Sequence, residues 1–320
     1  MPIKSQEESI SSMQLTKLRA APALRAEVPP CAPAGQTDGG TASQLIRSVR
    51  RTMASRGAIR MARWMYRRSA RPMSAAAICI VFSACGWRDL GRYVSEDGLS
   101  FDSTRRSWVT DAMLGDLKKY PRITSVALQS EYVTPAGLAN LSYLPNLTHL
   151  SLGPMKVTDA GLEPLATLTQ LQKLMLGSDH ITDAGLRHLS GLVNLRELSL
   201  RDNPIGDDGL RHLSGLKKLE ILGLRDTAVG DAGLAHLVEL TGLRQLYLWR
   251  TRVTDAGVVH LLKLTHLEVL SLRDTRITDS GLSQLSYLAQ LKELYVGGTG
   301  ITPSGRAVFM KALPTCKLDE

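Results

Sequence analysis

From about residue 109 onward, the apolar positions fall into two short patterns that take turns along the chain. One is L-x-x-L-x-L, beginning at Ile123, Leu147, Leu171, Leu195, Leu219, Leu243, Leu267 and Leu291. The other is V/I-T-D-A-G-L, beginning at Val133, Val157, Ile181, Ile205, Val229, Val253, Ile277 and Ile301. Each recurs every 24 residues without insertion, and an imperfect copy of the second starts at Val109, with Met113 in the glycine slot. In Leu195-Arg-Glu-Leu198-Ser-Leu200 the alternating Leu198 and Leu200 face one way and Ser199 the other, which predicts a short strand half-buried in a sheet. The residue nine places into each unit (Asn203, Thr227, Thr251, Thr275 or Thr299) is small and polar, suited to bonding backbone groups where the chain leaves the sheet.

The second pattern predicts a helix start. Thr158, Thr182, Thr254 and Thr278 are natural N-caps, and Asp159, Asp183, Asp255 and Asp279 place negative charge in the first turn. Pro135 and Pro303 fill the Asp slot, where a first helical residue tolerates proline. Leu186, Leu189, Leu192 and Leu195 then bury one face of the helix and lead into the next strand. The glycine of the motif has poor helix propensity, so its expected role is close backbone approach between stacked coils.

These residues resemble the leucine-rich repeat family in its bacterial 24-residue form, and the resemblance covers residues 109–318. It implies an α/β fold: a right-handed solenoid, or horseshoe, with a parallel β-sheet on the concave face and helices on the convex face. A single repeat cannot bury its own leucine stripe, so stacking on both neighbours carries the stability. The 109–122 half-repeat is expected to cap one end. At the other, Arg306 replaces a leucine and Leu313-Pro314-Thr315-Cys316-Lys317-Leu318 breaks the strand pattern, with Cys316 read as core filler.

Ahead of the repeats the composition changes. Residues 1–73 read as a disordered basic leader, residues 74–84 as the apolar h-region of a signal peptide, and residues 85–108 as a polar tether with a capping strand near Leu99–Phe101. Arg63, Arg67, Arg68 and Arg71 supply the positive n-region, so Met61 or Met65 is the expected true start. Phe82-Ser83-Ala84-Cys85 resembles the bacterial lipoprotein lipobox, with Phe82 where leucine is usual. That resemblance implies acylation of Cys85 and an extracytoplasmic, membrane-anchored protein.

Charge follows the same division. The leader holds 13 of the 39 basic and four of the 30 acidic residues, leaving 26 of each sign in residues 74–320. The excess of +9 is therefore a leader property, and a nucleic-acid-binding domain is not expected. The four cysteines form no C-x-x-C pair and no disulfide framework.

A search for catalytic motifs finds none. Gly297-Gly298-Thr299-Gly300 only imitates a phosphate loop, since no lysine follows it. His188, His212, His236 and His260 form a column at 24-residue spacing, but no recurring Cys or carboxylate completes a metal set. No metal and no cofactor are expected. The concave face carries Arg201, Arg225, Trp249 and Arg273 in one column, Asp202, Asp226, Arg250 and Asp274 in the next, and Tyr247 and Tyr295 in a third. Arg-Asp ladders can simply solubilise an exposed sheet. Tyr, Trp and Arg are also the residues enriched at binding hot spots. The reading taken is a non-catalytic protein-protein interaction module with Arg201, Arg225, Tyr247, Trp249, Arg250, Arg273 and Tyr295 on its partner-binding face. The partner is a protein or a cell-envelope component. The alternative is a cytoplasmic substrate-recognition subunit of a ubiquitin ligase, since the repeats are also similar to those of F-box leucine-rich repeat proteins.

Overall fold

Alternating leucines produce the strands where the pattern places them. The computed structural model of the chain describes residues 93–104, 109–153, 155, 157–177 and 180–319. The leader 1–73, the apolar segment 74–84 and Cys85 lie outside the described residues. Among the described residues, ten strands form one parallel sheet in chain order: β1 Ser100–Asp102, β2 Ser125–Leu128, β3 His149–Leu152, β4 Lys173–Leu176, β5 Glu197–Ser199, β6 Ile221–Gly223, β7 Gln245–Tyr247, β8 Val269–Ser271, β9 Glu293–Tyr295 and β10 Lys317–Asp319. From β2 to β10 neighbours pair at a constant offset of one repeat, while β1 pairs with β2 one residue further apart, so Leu198, Leu222, Leu246, Leu270 and Leu294 stack in a buried column.

Between these strands run nine described α-helices: α1 Asp111–Leu114, α2 Pro135–Ala139, α3 Asp159–Leu162, α4 Asp183–Leu186, α5 Asp207–Leu210, α6 Asp231–Ala235, α7 Val258–Leu261, α8 Asp279–Leu285 and α9 Pro303–Ala312. Most are a single α turn. In the α4 repeat the chain tightens into a 3-10 turn over Arg187–Leu189, and α7 is preceded by one over Asp255–Gly257. The leucine spacing is compatible with this. Leu186, Leu189, Leu192 and Leu195 are three residues apart, the period of a 3-10 helix, whereas an α-helix needs a mean of 3.6. All four are buried.

The T-D-A-G-L motif joins successive repeats as well as starting helices. Asp231 accepts the Thr254 backbone N–H at 2.8 Å and the Thr254 hydroxyl at 2.6 Å. Asp111, Asp159, Asp255 and Asp279 make the same pair of bonds to Thr134, Thr182, Thr278 and Thr302. Where glycine takes the threonine slot, Gly206 and Gly230 keep the backbone bond, to Asp183 and Asp207. Thr158 is the exception. Its predecessor in the Asp slot is Pro135, and its own side chain makes no cap bond. Thr182, Thr254 and Thr278 cap as expected, accepting the N–H two residues on at 3.3 Å.

The motif glycine lies under this ladder. A Cβ on Gly233 would fall 2.5 Å from Asp207 Oδ1 and 3.2 Å from Asp207 Cα. Gly161, which follows the Pro135 repeat, meets no aspartate and would touch its own Val157 at 3.0 Å. The glycine therefore serves the carboxylate of the preceding repeat.

Buried polar residues close each strand exit. Asn203 donates to the carbonyls of Leu176, Leu200 and Arg201 and accepts from Ile181 N–H. Thr227, Thr251 and Thr275 each donate to the carbonyl three residues back. The β1 edge is covered by the antiparallel bridge from Val94 to Phe101, with Tyr93 and Phe101 ring centroids 5.7 Å apart. The capping strand thus lies at Ser100–Asp102, within the segment whose sequence suggests a tether. Cys316 is buried, and burial pushes its thiol up to about 11, which suits core filler rather than a reactive group.

Candidate functional site

Strand alternation turns every second residue of the sheet away from the leucine core, and these residues align in rows across the strands. The row from Met175 runs through Ser199, Gly223, Tyr247, Ser271 and Tyr295 to Asp319. The row two residues earlier holds Lys173, Glu197, Ile221, Gln245, Val269, Glu293 and Lys317. Arg201, Arg225, Trp249 and Arg273 follow two residues after the first row.

Trp249 is the centre of a bonded group. The Arg225 guanidinium lies 3.9 Å from its ring centroid and the Arg250 guanidinium 5.5 Å away. Its indole N–H donates to Asp274 at 2.6 Å. Arg225 donates to Asp226 at 2.7 Å, and Arg250 bridges Asp226 and Asp274 at 3.6 and 3.5 Å. The structure therefore brings Arg225, Trp249 and Arg250 together. Arg273 and Tyr295 form a second group: the guanidinium is 5.5 Å from the tyrosine ring and bonds Asp319 at 3.0 Å. The Tyr295 hydroxyl donates to Glu293, and this bond, with burial and the nearby carboxylates, raises the phenol to about 12. Tyr247 donates to Gln245 at 3.0 Å. Arg201 stands apart, exposed, lying over Gly177 and reaching Asp202 only at 3.8 Å.

Ile221 and Val269 belong to the same surface, although the sequence pattern does not single them out. They flank Gln245, in a row whose other members include Lys173, Glu197, Glu293 and Lys317. The legible signal is an apolar residue just before the second leucine of L-x-x-L-x-L, where other repeats carry a polar or charged one. With Tyr247, Trp249 and Tyr295 they concentrate the apolar and aromatic surface of this face on β6 to β9. Strands β2 to β5 present Ser125, Ala127, His149, Ser151, Lys173, Met175, Glu197 and Ser199 in the same rows.

The turn column has its own backbone signature. Asp202, Asp226, Arg250 and Asp274 all have positive φ, between 52° and 59°, and Gly298 continues the column at 72°. Asp and Gly tolerate the left-handed region and Arg does so poorly. Gly298 packs against Asp274, so the glycine-rich stretch there is a turn of the array. In the histidine column, Arg187 donates to His188 Nε2 at 3.2 Å and Arg211 to His212 Nε2 at 3.4 Å. Burial, then the arginines beside it, lower the His212 pKa. Among the described residues, no three His, Cys, Asp or Glu side chains come together as a metal site would need.

A family model described as leucine rich repeat matches residues 169–229, and a second of the same description matches residues 263–286. No curated protein matches the chain. Among solved structures the chain is similar to internalin C2 of Listeria monocytogenes, at 27% identity and a TM-score of 0.50, covering 66% of this chain and 84% of that one. It also shares its fold with a leucine-rich repeat protein of Leptospira interrogans, at 18% identity and a TM-score of 0.50. That match covers 64% of this chain and spans about half (51%) of the other.

Proposed function

We propose that this leucine-rich repeat array is a non-catalytic protein-binding module whose partner seats on the sheet face at β6 to β9. One observation carries the reading: Ile221, Tyr247, Trp249, Val269 and Tyr295 gather on β6 to β9, whereas the matching rows of β2 to β5 hold one large apolar residue, Met175, among small, polar and charged ones. Hot spots combine buried aromatic anchors with arginine, and here the arginines already stack on the rings. Their side chains are fixed by bonds within the chain, so little rotamer entropy remains to be lost on binding. The patch spans four strands, about 14 Å at ~4.8 Å per strand. It is thus the centre of an interface rather than the whole of one.

A pull-down with the intact chain and with Trp249→Ala and Arg225→Ala variants tests this. The expected result is loss of a partner by at least tenfold in both variants, with the fold unchanged by circular dichroism. An identical set of captured proteins would show that another face binds.

The same proposal places the array at a membrane surface, held by acyl chains on Cys85. The support is the lipobox-like Phe82-Ser83-Ala84-Cys85 after a basic and an apolar segment. Two acyl signals hold a protein stably where one does not. Labelling with a palmitate analogue should mark the wild type and leave Cys85→Ala unmarked; absence of label from both removes the anchor.

A further inference from the structure

The two sides of the sheet face differ in how their charges are matched. Where the strands begin, basic and acidic residues pair from one repeat to the next: Lys173 with Glu197 at 2.8 Å, Arg196 with Glu220, and Glu268 with both Arg244 and Lys292. Where the strands end, Arg225 and Arg273 are held by Asp226 and Asp319, and Arg250 lies between Asp226 and Asp274. Three residues beyond Trp249 and Arg273 stand Arg252 and Arg276, both exposed. They occupy successive turns of the array, since Arg252 N–H bonds Val229 C=O and Arg276 N–H bonds Val253 C=O. Among the described residues neither guanidinium has a hydrogen-bond or ion-pair partner. The ladder aspartates of the same stretch, Asp207, Asp231 and Asp255, are committed to Gly230, Thr254 and Thr278. Adjoining repeats hold Pro204, Ala228 and Gly300 in this slot, so from β5 to β9 its cations fall in the two repeats that carry Trp249 and Arg273.

We propose that the protein bound here presents an acidic segment to this edge, with Asp or Glu carboxylates on Arg252 and Arg276 and an adjoining apolar side chain over Trp249. The inference rests on the β6 to β9 face being the binding face, and assigns the chemistry of what binds there. A guanidinium holds a carboxylate through two parallel N–H donors. At the rim of an apolar patch, such pairs steer the encounter and reject partners of the wrong charge. The strand-entry side cannot serve in this way, because its cations already have carboxylates. Spacing suits a polypeptide. Successive turns lie ~4.8 Å apart, close to the ~5–6 Å between residues four apart on a helix, and the long arginine side chains take up the difference. A phosphate polymer suits the edge less well. Its charges are dense and regular, and Asp202, Asp226 and Asp274 in the neighbouring column would repel those that fall between the arginines.

Charge reversal in the full chain tests this. An Arg252→Glu, Arg276→Glu double variant, with its fold checked by circular dichroism, should lose the partner captured by the wild type by about tenfold or more. An Arg252→Lys, Arg276→Lys variant should retain most of it. Raising sodium chloride from about 0.05 to 0.5 M should weaken capture by the wild type and leave the residual capture by the glutamate variant unchanged. In a second arm, a displayed library of random peptides is panned on the full chain. The selected peptides should be rich in Asp and Glu beside an aromatic or aliphatic residue, and should fail to bind the glutamate variant. A partner retained by the glutamate variant but lost by Trp249→Ala overturns the acidic segment and leaves the face standing. A partner retained by both overturns the two readings together. A peptide pool without an acidic excess overturns the proposal, as does preferential binding of duplex DNA or of phosphatidylglycerol vesicles over the acidic peptides.

Discussion

Arg250 holds φ at 55° in a column otherwise made of aspartate and glycine, and its guanidinium sits between two carboxylates of that column. The charge accounts for its presence. Asp226 and Asp274 would otherwise face one another across a gap of two strands, and the cation between them offsets that repulsion while covering Trp249. The backbone cost is separable from the charge. Both Arg250→Ala and Arg250→Gly lose the guanidinium, but only glycine adopts positive φ freely, so the glycine variant should be the more stable by about 1 kcal/mol. Chemical denaturation of the pair measures this, and equal midpoints would mean the backbone carries no strain. The sequence shows the Trp249-Arg250 pair as a departure from Arg-Asp in other repeats. It does not show the left-handed turn, because Asp is common both there and in many other contexts.

Between elements, the Asp-Thr ladder does what a lone N-cap does not: it fastens each helix start to the repeat before it. Asp231→Ala removes two bonds to Thr254 and should cost about 1–3 kcal/mol, with Thr254→Val retaining the backbone bond and costing less. The titration of Asp279 reports the same contact. Its bonds to the Thr302 hydroxyl and N–H hold its pKa below the ordinary carboxylate value. A group depressed in this way favours the folded state above that ordinary value of 3.8, and its contribution fades as pH falls through the folded pKa. Thr302→Val should therefore move the Asp279 titration upward toward the ordinary value in an NMR pH series; no movement would sever the link. The glycine of the motif is legible as a close-approach residue, though its neighbour is not. What it approaches is the aspartate one repeat back, which only the stacking reveals. Gly209→Ala, aimed at Asp183 Oδ1 from 2.5 Å, should accordingly lower the melting temperature more than Gly161→Ala.

For the array as a whole, the 24-residue period makes the sheet order, the register and the leucine core readable in advance, since each follows from repetition alone. The helices are shorter than the leucine stripe suggests. Threefold leucine spacing accommodates 3-10 turns, as over Arg187–Leu189, without dictating where they fall, since α8 keeps the same spacing through two α turns. The Arg, Trp and Tyr residues of the face proposed to bind a partner stand out in the sequence. Ile221 and Val269 do not, because single apolar residues on a strand seldom stand out. Val269→Lys should weaken partner capture while leaving the fold within about 1 kcal/mol of its stability, measurable by thermal melting beside the same pull-down.

Pro135 gives this regular array one irregular joint. A proline side chain has no oxygen to offer Thr158, so the junction between the α2 and α3 repeats lacks the fastening found at its neighbours. An array whose stability is summed over nearest neighbours opens first at its weakest junction. Amides on the β1 side of that junction should exchange their hydrogens as a group, ahead of those beyond it. Pro135→Asp would replace the missing tooth of the zipper and slow that exchange, giving the molecule one opening unit in place of two.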